Sequence, residues 1–255
     1  MHRLLAFGAA FAALLLPAGC GGAEAARPAG GASDAADRAR AAERMVRAGR
    51  GTLAPVYAPL AEYLVDHLDL ADKDGVGIDV GSGPGTLVVE LARRTRMHWV
   101  NADINPHFFP HFYRRAEEAG VGHRVSAVRA DARHLPFRSG WADVVVSRGS
   151  FHFWGDRDER KKGFAEIYRV LAPGGVAYIG RGFSPNLPVE TARRIRAKQG
   201  KKMQYDRRKL ADQLVGILKD LGIAGYRMHL PDPPGTETFH YGVWVEFRKP
   251  AAGGE

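Results

Sequence analysis

Short apolar runs alternate along the middle of this chain with stretches whose apolar residues recur every three or four positions. The runs at 76–80, 98–104, 124–130, 141–147 and 176–179 read as strands, and that at 141–147 is nearly continuously apolar, as a strand covered on both faces is. Between them, residues 87–94, 106–119 and 158–171 carry the helical spacing. The second of these is closed by Gly120, and the third sets Phe164, Ile167, Tyr168 and Leu171 on one face before Pro173-Gly174-Gly175. Strands alternating with helices, except between the runs at 124–130 and 141–147, predict an α/β domain with a parallel sheet. Ahead of it, Val56, Leu60, Leu64 and Leu68 predict a helix within 52–70, taking hold after Pro59. Behind it, Asp206 can cap a helix carrying Leu210, Leu214, Ile217, Leu218 and Leu221, stopped by Gly222. Residues 225–230 and 239–247 then read as two more strands across a Pro-rich loop at 231–235.

The first strand runs into Gly81-Ser82-Gly83-Pro84-Gly85-Thr86. Without side chains at the three glycines the backbone can turn sharply and a ligand can lie against it, while the helix that follows offers free N–H groups to an anionic group. The spacing is not the G-x-G-x-x-G of dinucleotide sites, since glycine comes one place early and Thr86 stands sixth. An acid, Asp79, precedes the loop. Asn101-Ala102-Asp103 ends the second strand, Arg129-Ala130-Asp131-Ala132 the third, Asp143-Val144-Val145-Val146-Ser147 forms the fourth, and Tyr168-Arg169-Val170-Leu171-Ala172-Pro173-Gly174-Gly175 turns into the fifth. This set, spread over residues 52–182, resembles the class I S-adenosylmethionine-dependent methyltransferases.

The resemblance implies a Rossmann-like, seven-stranded, mostly parallel sheet with an antiparallel last strand, helices on both faces, the final two strands being the antiparallel sixth and seventh. It implies S-adenosyl-L-methionine as cofactor. Asp79 then lies near the methionyl ammonium, and Gly81, Ser82, Gly83 and Gly85 cradle the methionyl end. Asp103 accepts from both ribose hydroxyls; Asp131 accepts from the adenine amino group and the Ala132 N–H donates to the ring. Ile104 and Ser147 complete the expected cofactor set. The residues taken alone leave alternatives open: Asp79 as an acid ordering the glycine loop, and Asp103 as the cap of the helix at Pro106.

Residues 147–154, Ser-Arg-Gly-Ser-Phe-His-Phe-Trp, leave the carboxyl end of the fourth strand, where ligands of open α/β sheets bind. Methyl transfer is an in-line displacement that needs alignment, and a base where the acceptor carries a proton. His152, with an ordinary pKa of roughly 6.5, is the candidate base. Arg148 is the candidate for holding an acidic group, and Phe151, Phe153 and Trp154 for stacking on a flat acceptor. Packing is the plainer account of the same apolar loop. Tyr57 or Tyr63 is placed to touch ligand, and Gly180-Arg181-Gly182 reads as a tight turn or a lid hinge.

The expected reaction is methyl transfer to a small-molecule acceptor, acidic or aromatic, in the broad branch related to the quinone C-methyltransferases. The alternative is a non-catalytic S-adenosylmethionine- or partner-binding envelope protein on the same fold. Thr86 and the Asp131 motif argue against a nicotinamide enzyme. A single cysteine argues against an arsenic-type acceptor, and the histidines show no ligand spacing that indicates a metal.

The chain's 255 residues suit one such domain, at 52–249, with a tail at 250–255. Met1-His2-Arg3, an uncharged apolar run at 4–16 and Ala18-Gly19-Cys20 read as a secretory, lipoprotein-like segment over 1–20, followed by a flexible Ala/Gly-rich linker at 21–51. That places the protein in the cell envelope, anchored at Cys20; a start at Met45 would leave it cytoplasmic. Nine basic residues against Asp206 alone in 193–209 account for nearly all of the formal charge of +9. This patch is a solvated helical face, or else it attracts an acidic substrate, RNA or an anionic membrane surface, the last as a second signal beside the Cys20 lipid. With only Tyr205 available for stacking within it, nucleic acid is not expected.

Overall fold

Seven strands form one sheet in the order β3-β2-β1-β4-β5-β7-β6, in a computed structural model that describes residues 32–199, 206–230 and 242–253. They are β1 (Val76–Val80), β2 (His98–Asp103), β3 (Val125–Arg129), β4 (Ala142–Arg148), β5 (Leu171–Arg181), β6 (Tyr226–His229) and β7 (Val243–Arg248). Pairing from β3 through β5 is parallel, whereas β7 is antiparallel to both β5 and β6. Only β7 therefore runs against the sheet. β6, expected to run antiparallel with it, points the same way as β1 to β5.

Period-two alternation sorts the core into two layers. Ile78, Val80, Val100, Ala102, Val145, Ala177, Ile179, Val245 and Phe247 pack under α5 (Arg157–Val170) and α7 (Arg207–Asp220), through Phe164, Ile167, Leu214 and Leu218. On the opposite face Trp99, Val144, Val146, Tyr178 and Trp244 pack against α2 (Ala54–His67), α3 (Thr86–Ala92) and α4 (Phe109–Glu118). Asp156 caps α5 by accepting from the N–H groups of Asp158 and Glu159, both at 3.0 Å, and Asp206 caps α7 as its sequence position predicts.

Several boundaries differ from the sequence expectation. α2 begins at Ala54 and runs through Pro59 rather than after it; Val56, Leu60 and Leu64 already form its buried stripe. β5 is longer than the apolar run 176–179, because its first residues, Leu171 to Gly175, pair beyond the hydrophobic stretch around a register shift against β4. The linker expected at 21–51 is, from Ala32 to Arg50, a helix, α1. Its alanines favour helix without announcing it by apolar period, and it needs only Ala42 and Val46, one turn apart, to dock on Phe108. Burying a valine is worth roughly 1.5–3 kcal/mol, so this docking is far weaker than the sheet core.

The basic stretch contains α6 (Val189–Gln199), whose Ala192 and Ile195 are buried on Phe183, Leu187 and Val56 while Arg193 and Arg194 face outward. Lys201, Lys202 and Tyr205 lie outside the described residues, as do Cys20 and the whole expected signal segment, and residues 239–241 of the predicted last strand. Among the described residues, no helix is long and apolar enough to cross a membrane.

Candidate functional site

The strand order changes direction at β1: the chain leaves β1 through α3 to β2 on one side, and β4 flanks β1 on the other. The carboxyl ends of adjacent strands at such a switch point enclose a crevice. Here it is a cavity of about 640 Å³, within the range of small-molecule sites. Its floor is the glycine loop. Gly81 donates to the Ala102 carbonyl at 2.7 Å, which tethers the loop to the end of β2, and Asn101 Nδ2 donates to the Gly83 carbonyl at 3.2 Å.

Asp103 closes the β2 side. Its Oδ2 accepts from Gly83 N at 2.7 Å and its Oδ1 from Asn105 N at 2.8 Å, so the carboxylate fixes the loop while facing the cavity with its remaining lone pairs. Burial raises its pKa against the pull of those two N–H donors. Asp103 is not the cap of the turn at Pro106: that is Asn105, whose Oδ1 accepts from His107 N at 3.2 Å. Asp79, 2% exposed, lines the cavity with an Oδ1 that has no hydrogen-bond partner. Burial pushes its pKa up to about 7, with the Asp103 charge adding to the rise and Ser82 and Arg148 opposing it. A buried, half-satisfied carboxylate of this kind is suited to a cationic ligand group, which would supply what the protein does not.

Gly81, Ser82, Gly83, Ile104, Asp131 and Ala132 line the same cavity, Ile104 standing 51% exposed above it. Asp131 is bound up with Arg133: the guanidinium donates to Oδ1 at 2.9 Å and to Oδ2 at 2.5 Å, which holds the carboxyl below its usual range. Two expected cofactor residues are not on the cavity wall. Ser147 is buried in β4, its Oγ donating to the Val80 carbonyl at 2.7 Å and lying 2.6 Å from Ser150 Oγ; its hydroxyl ties β4 to β1. Ser150 lines the cavity in its place. Gly85 faces away, toward Phe112 and Asn101, and starts α3.

The opposite end of the cavity is basic and aromatic. Arg148, Arg181 and His152 all line it. The Arg148 guanidinium lies 5.3 Å over the Tyr57 ring, and its buried Nε has no partner. The His152 ring lies 4.0 Å from that of Phe153, tilted by 39° to it, and Phe153 is 78% exposed. The histidine differs from expectation in its chemistry: burial first, then the charges of Arg181 and Arg160, push its pKa down to about 4, so it is neutral at pH 7, with a buried, unpartnered Nδ1. Phe151, expected to stack on an acceptor, is fully buried in the core, while Trp154 lines the cavity from a position packed on Phe164. Of the two candidate tyrosines, Tyr57 reaches the cavity, and Tyr63 stacks on His67 instead. Sequence reasoning missed Arg181 as a wall residue, although its place between two glycines at the end of a central strand signals it. Met45 and Ala41 also line the cavity, and nothing in the Ala-rich sequence of α1 signals that it packs there.

Residues 78–175 match the sequence profile of a methyltransferase domain. The chain is 33% identical over 114 residues to the chloroplastic 2-methyl-6-phytyl-1,4-hydroquinone methyltransferase of Arabidopsis thaliana, covering 44% of this chain and 32% of that one. It is 36% identical over 99 residues to the demethylmenaquinone methyltransferase of Thermus thermophilus, covering 38% of this chain and 43% of that one. These matches thus span less than half the length of either relative. A solved structure from Methanococcus maripaludis, described as a candidate S-adenosyl-L-methionine-dependent methyltransferase, superposes with a TM-score of 0.71 at 27% identity, covering 84% of this chain and 94% of that one.

Proposed function

We propose that this chain, which carries the domain and fold of a class I S-adenosyl-L-methionine-dependent methyltransferase, binds that cofactor in the cavity and transfers its methyl group to a small acceptor. The observation that carries the reading is the pair of buried carboxylates flanking the glycine loop: Asp79 with an unpartnered oxygen, and Asp103 held by two backbone N–H groups. The cofactor supplies an electrophilic methyl on a sulfonium. Asp79 would hold its ammonium and Asp103 its ribose hydroxyls, while the glycine loop, whose N–H groups are bonded within the protein, would be the surface its methionyl end lies against. Asp131 and Ala132 would face the adenine, with Asp131 sharing its oxygens between the base and Arg133.

Acceptor chemistry is read from the basic end. Arg148 and Arg181 bring positive charge to that wall, which suits an acceptor with an acidic or polarised oxygen, and the Tyr57 and Phe153 rings favour a flat one. His152 is a weak base as it stands. An anionic acceptor between it and the two arginines would raise its pKa and let it take a proton as the methyl arrives. Hydroquinone relatives, whose acceptors are flat phenols, are consistent with this reading. The test is kinetic. Arg148→Ala is expected to raise the acceptor KM by roughly tenfold or more with the cofactor Kd within about twofold, whereas His152→Ala lowers kcat by about 10²-fold. An acceptor KM unchanged by loss of Arg148 would contradict the anionic-acceptor reading.

Asp79 also sets a pH dependence. Its raised pKa means that below about pH 7 the site is protonated and must lose that proton to bind a cation. Cofactor affinity is therefore expected to fall about eightfold from pH 7.5 to pH 6, the ratio of the ionised fractions, and to become flat over that window in Asp79→Asn. Without ligand the sign reverses for stability. The folded chain holds a proton that the unfolded chain has lost, so stability falls as pH rises from the ordinary 3.8 toward 7. Calorimetry across pH checks the first, thermal melts the second.

Location is inferred from sequence alone. The ordered basic start, apolar run and Cys20 support an envelope protein tethered by a lipid on that cysteine, with the basic patch as a second contact to anionic membrane. Labelling with an alkynyl fatty acid in a bacterial host, lost in Cys20→Ala, is the expected result; an unlabelled parent chain overturns it.

A further inference from the structure

Away from the cavity, on the face of the sheet covered by α2, three side chains from distant parts of the chain converge. Tyr178 of β5 stands opposite Glu246 of β7, and His229 of β6 stands opposite Trp244, which makes it Glu246's diagonal neighbour on the same face. α2 lies over this face, and its last residue, His67, reaches the same carboxylate. His67 Nε2 is 2.8 Å and His229 Nε2 3.1 Å from Glu246 Oε2, and one ligand-type atom from each residue lies within 4.8 Å of the others.

The surroundings hold the three in place. Tyr63 stacks on the His67 ring at 5.0 Å, and the Tyr178 ring packs against His67 at 5.9 Å and His229 at 5.4 Å. The two imidazoles cross at 85°. The second carboxylate oxygen, Oε1, faces Arg248 Nη2 at 3.9 Å, which leaves Oε2 as the one both histidines address. All three residues are half-buried.

Two imidazole nitrogens aimed at one carboxylate oxygen form a hydrogen-bonded trio when each Nε2 carries its proton. With the protons on Nδ1, the same three atoms present lone pairs to a common point. Nitrogen and oxygen ligands at about 2.0–2.2 Å from one ion lie roughly 3–3.5 Å apart, so the His229 nitrogen, 3.1 Å from Oε2, already has that spacing and the His67 nitrogen, at 2.8 Å, has only to draw back slightly. Two imidazoles and one carboxylate suit zinc and its first-row neighbours, not magnesium or calcium, which take oxygen. We propose that His67, His229 and Glu246 bind one divalent transition-metal ion of the zinc class, with the outer coordination position left to water. The ion would pin the end of α2 to the antiparallel edge of the sheet. α2 also brings Tyr57 to the cavity, so the clamp would steady that wall. Sequence spacing gives no hint of the site, because its residues are 162 and 17 positions apart and meet only through strand register.

The test is titration of the metal-free full chain with Co²⁺, followed by displacement with Zn²⁺. One cobalt per chain is expected, with the strong visible absorption of a low-coordinate site, abolished by zinc. His67→Gln and His229→Gln are each expected to weaken binding by at least about 100-fold, with circular dichroism confirming the fold. A folded parent chain that gives no such absorption, or variants that bind as tightly as the parent, would overturn the proposal and leave a hydrogen-bonded His–Glu–His trio. Should either variant fail to fold, the parent spectrum and the other variant still decide. The outcome is independent of cofactor binding.

Discussion

Replacing Asp103 with alanine is expected to weaken S-adenosylmethionine binding by roughly 10²–10³-fold. The carboxylate accepts from Gly83 N at 2.7 Å and Asn105 N at 2.8 Å, and in the proposed complex it also accepts from the ribose. The two ribose hydrogen bonds to this charged acceptor contribute about 1.5–3 kcal/mol each to binding, whereas losing the two N–H contacts, present with or without ligand, lowers the stability of free and bound chain alike. The bound complex therefore loses about 3–4 kcal/mol, one decade of affinity for each 1.4 kcal/mol. Asp103→Asn keeps one carbonyl oxygen and turns an NH₂ toward one of the two donors, so it falls between parent and alanine. Calorimetry on all three chains, with melts to confirm folding, checks this order. An alanine variant that loses stability yet binds as before would reduce Asp103 to a loop brace.

The second large effect separates two glycines two residues apart. Gly83 and Gly85 both adopt left-handed backbone, at φ 58° and 68°, which costs a residue with a side chain about 1–2 kcal/mol. Their surroundings differ. A Cβ at Gly85 would collide with the fully buried Phe112 ring and lie 2.7 Å from Asn101 Nδ2. A Cβ at Gly83 would meet nothing nearer than Phe108, at 3.9 Å, and would project toward the cavity. Gly85→Ala is thus expected to lower stability by about 3–4 kcal/mol, a fall of roughly 6–16 °C in Tm at 2–4 °C per kcal/mol. Gly83→Ala should cost only roughly 2–8 °C, from the backbone alone, while cofactor affinity drops at least about tenfold. Scanning fluorimetry and calorimetry on both variants measure this division; equal losses of Tm in the two would contradict it.

The glycine pair also shows what the sequence made legible. All three glycines of the loop were readable as cofactor contacts because the motif does not say which way each residue faces. The register of β1 on β2 and the position of Phe112 decide that, and they are tertiary facts. Asp79 and Asp103 were legible because each ends a strong apolar strand beside its turn, so position follows from the strand. Ser147 follows from the same logic but lies one residue short of the cavity: it is still buried within β4, and the wall begins at Arg148. The sheet itself followed from apolar runs separated by helical periods, and only the direction of β6 was misjudged. An edge strand of four residues pairs as its neighbour allows, and no local pattern reports that. α1 escaped notice because its docking uses two small side chains. It matters to the site nonetheless, since Ala41 and Met45 form part of the cavity wall, and a chain begun at Met45 would lack the first turns of that helix.

The central claim, that the cavity at the end of β1 holds S-adenosylmethionine, is tested most directly by calorimetric titration of the cofactor and of S-adenosylhomocysteine into the full chain at pH 7.5. One site per chain with a micromolar Kd for both ligands is the predicted result. A folded chain that takes up neither ligand at millimolar concentration would contradict it.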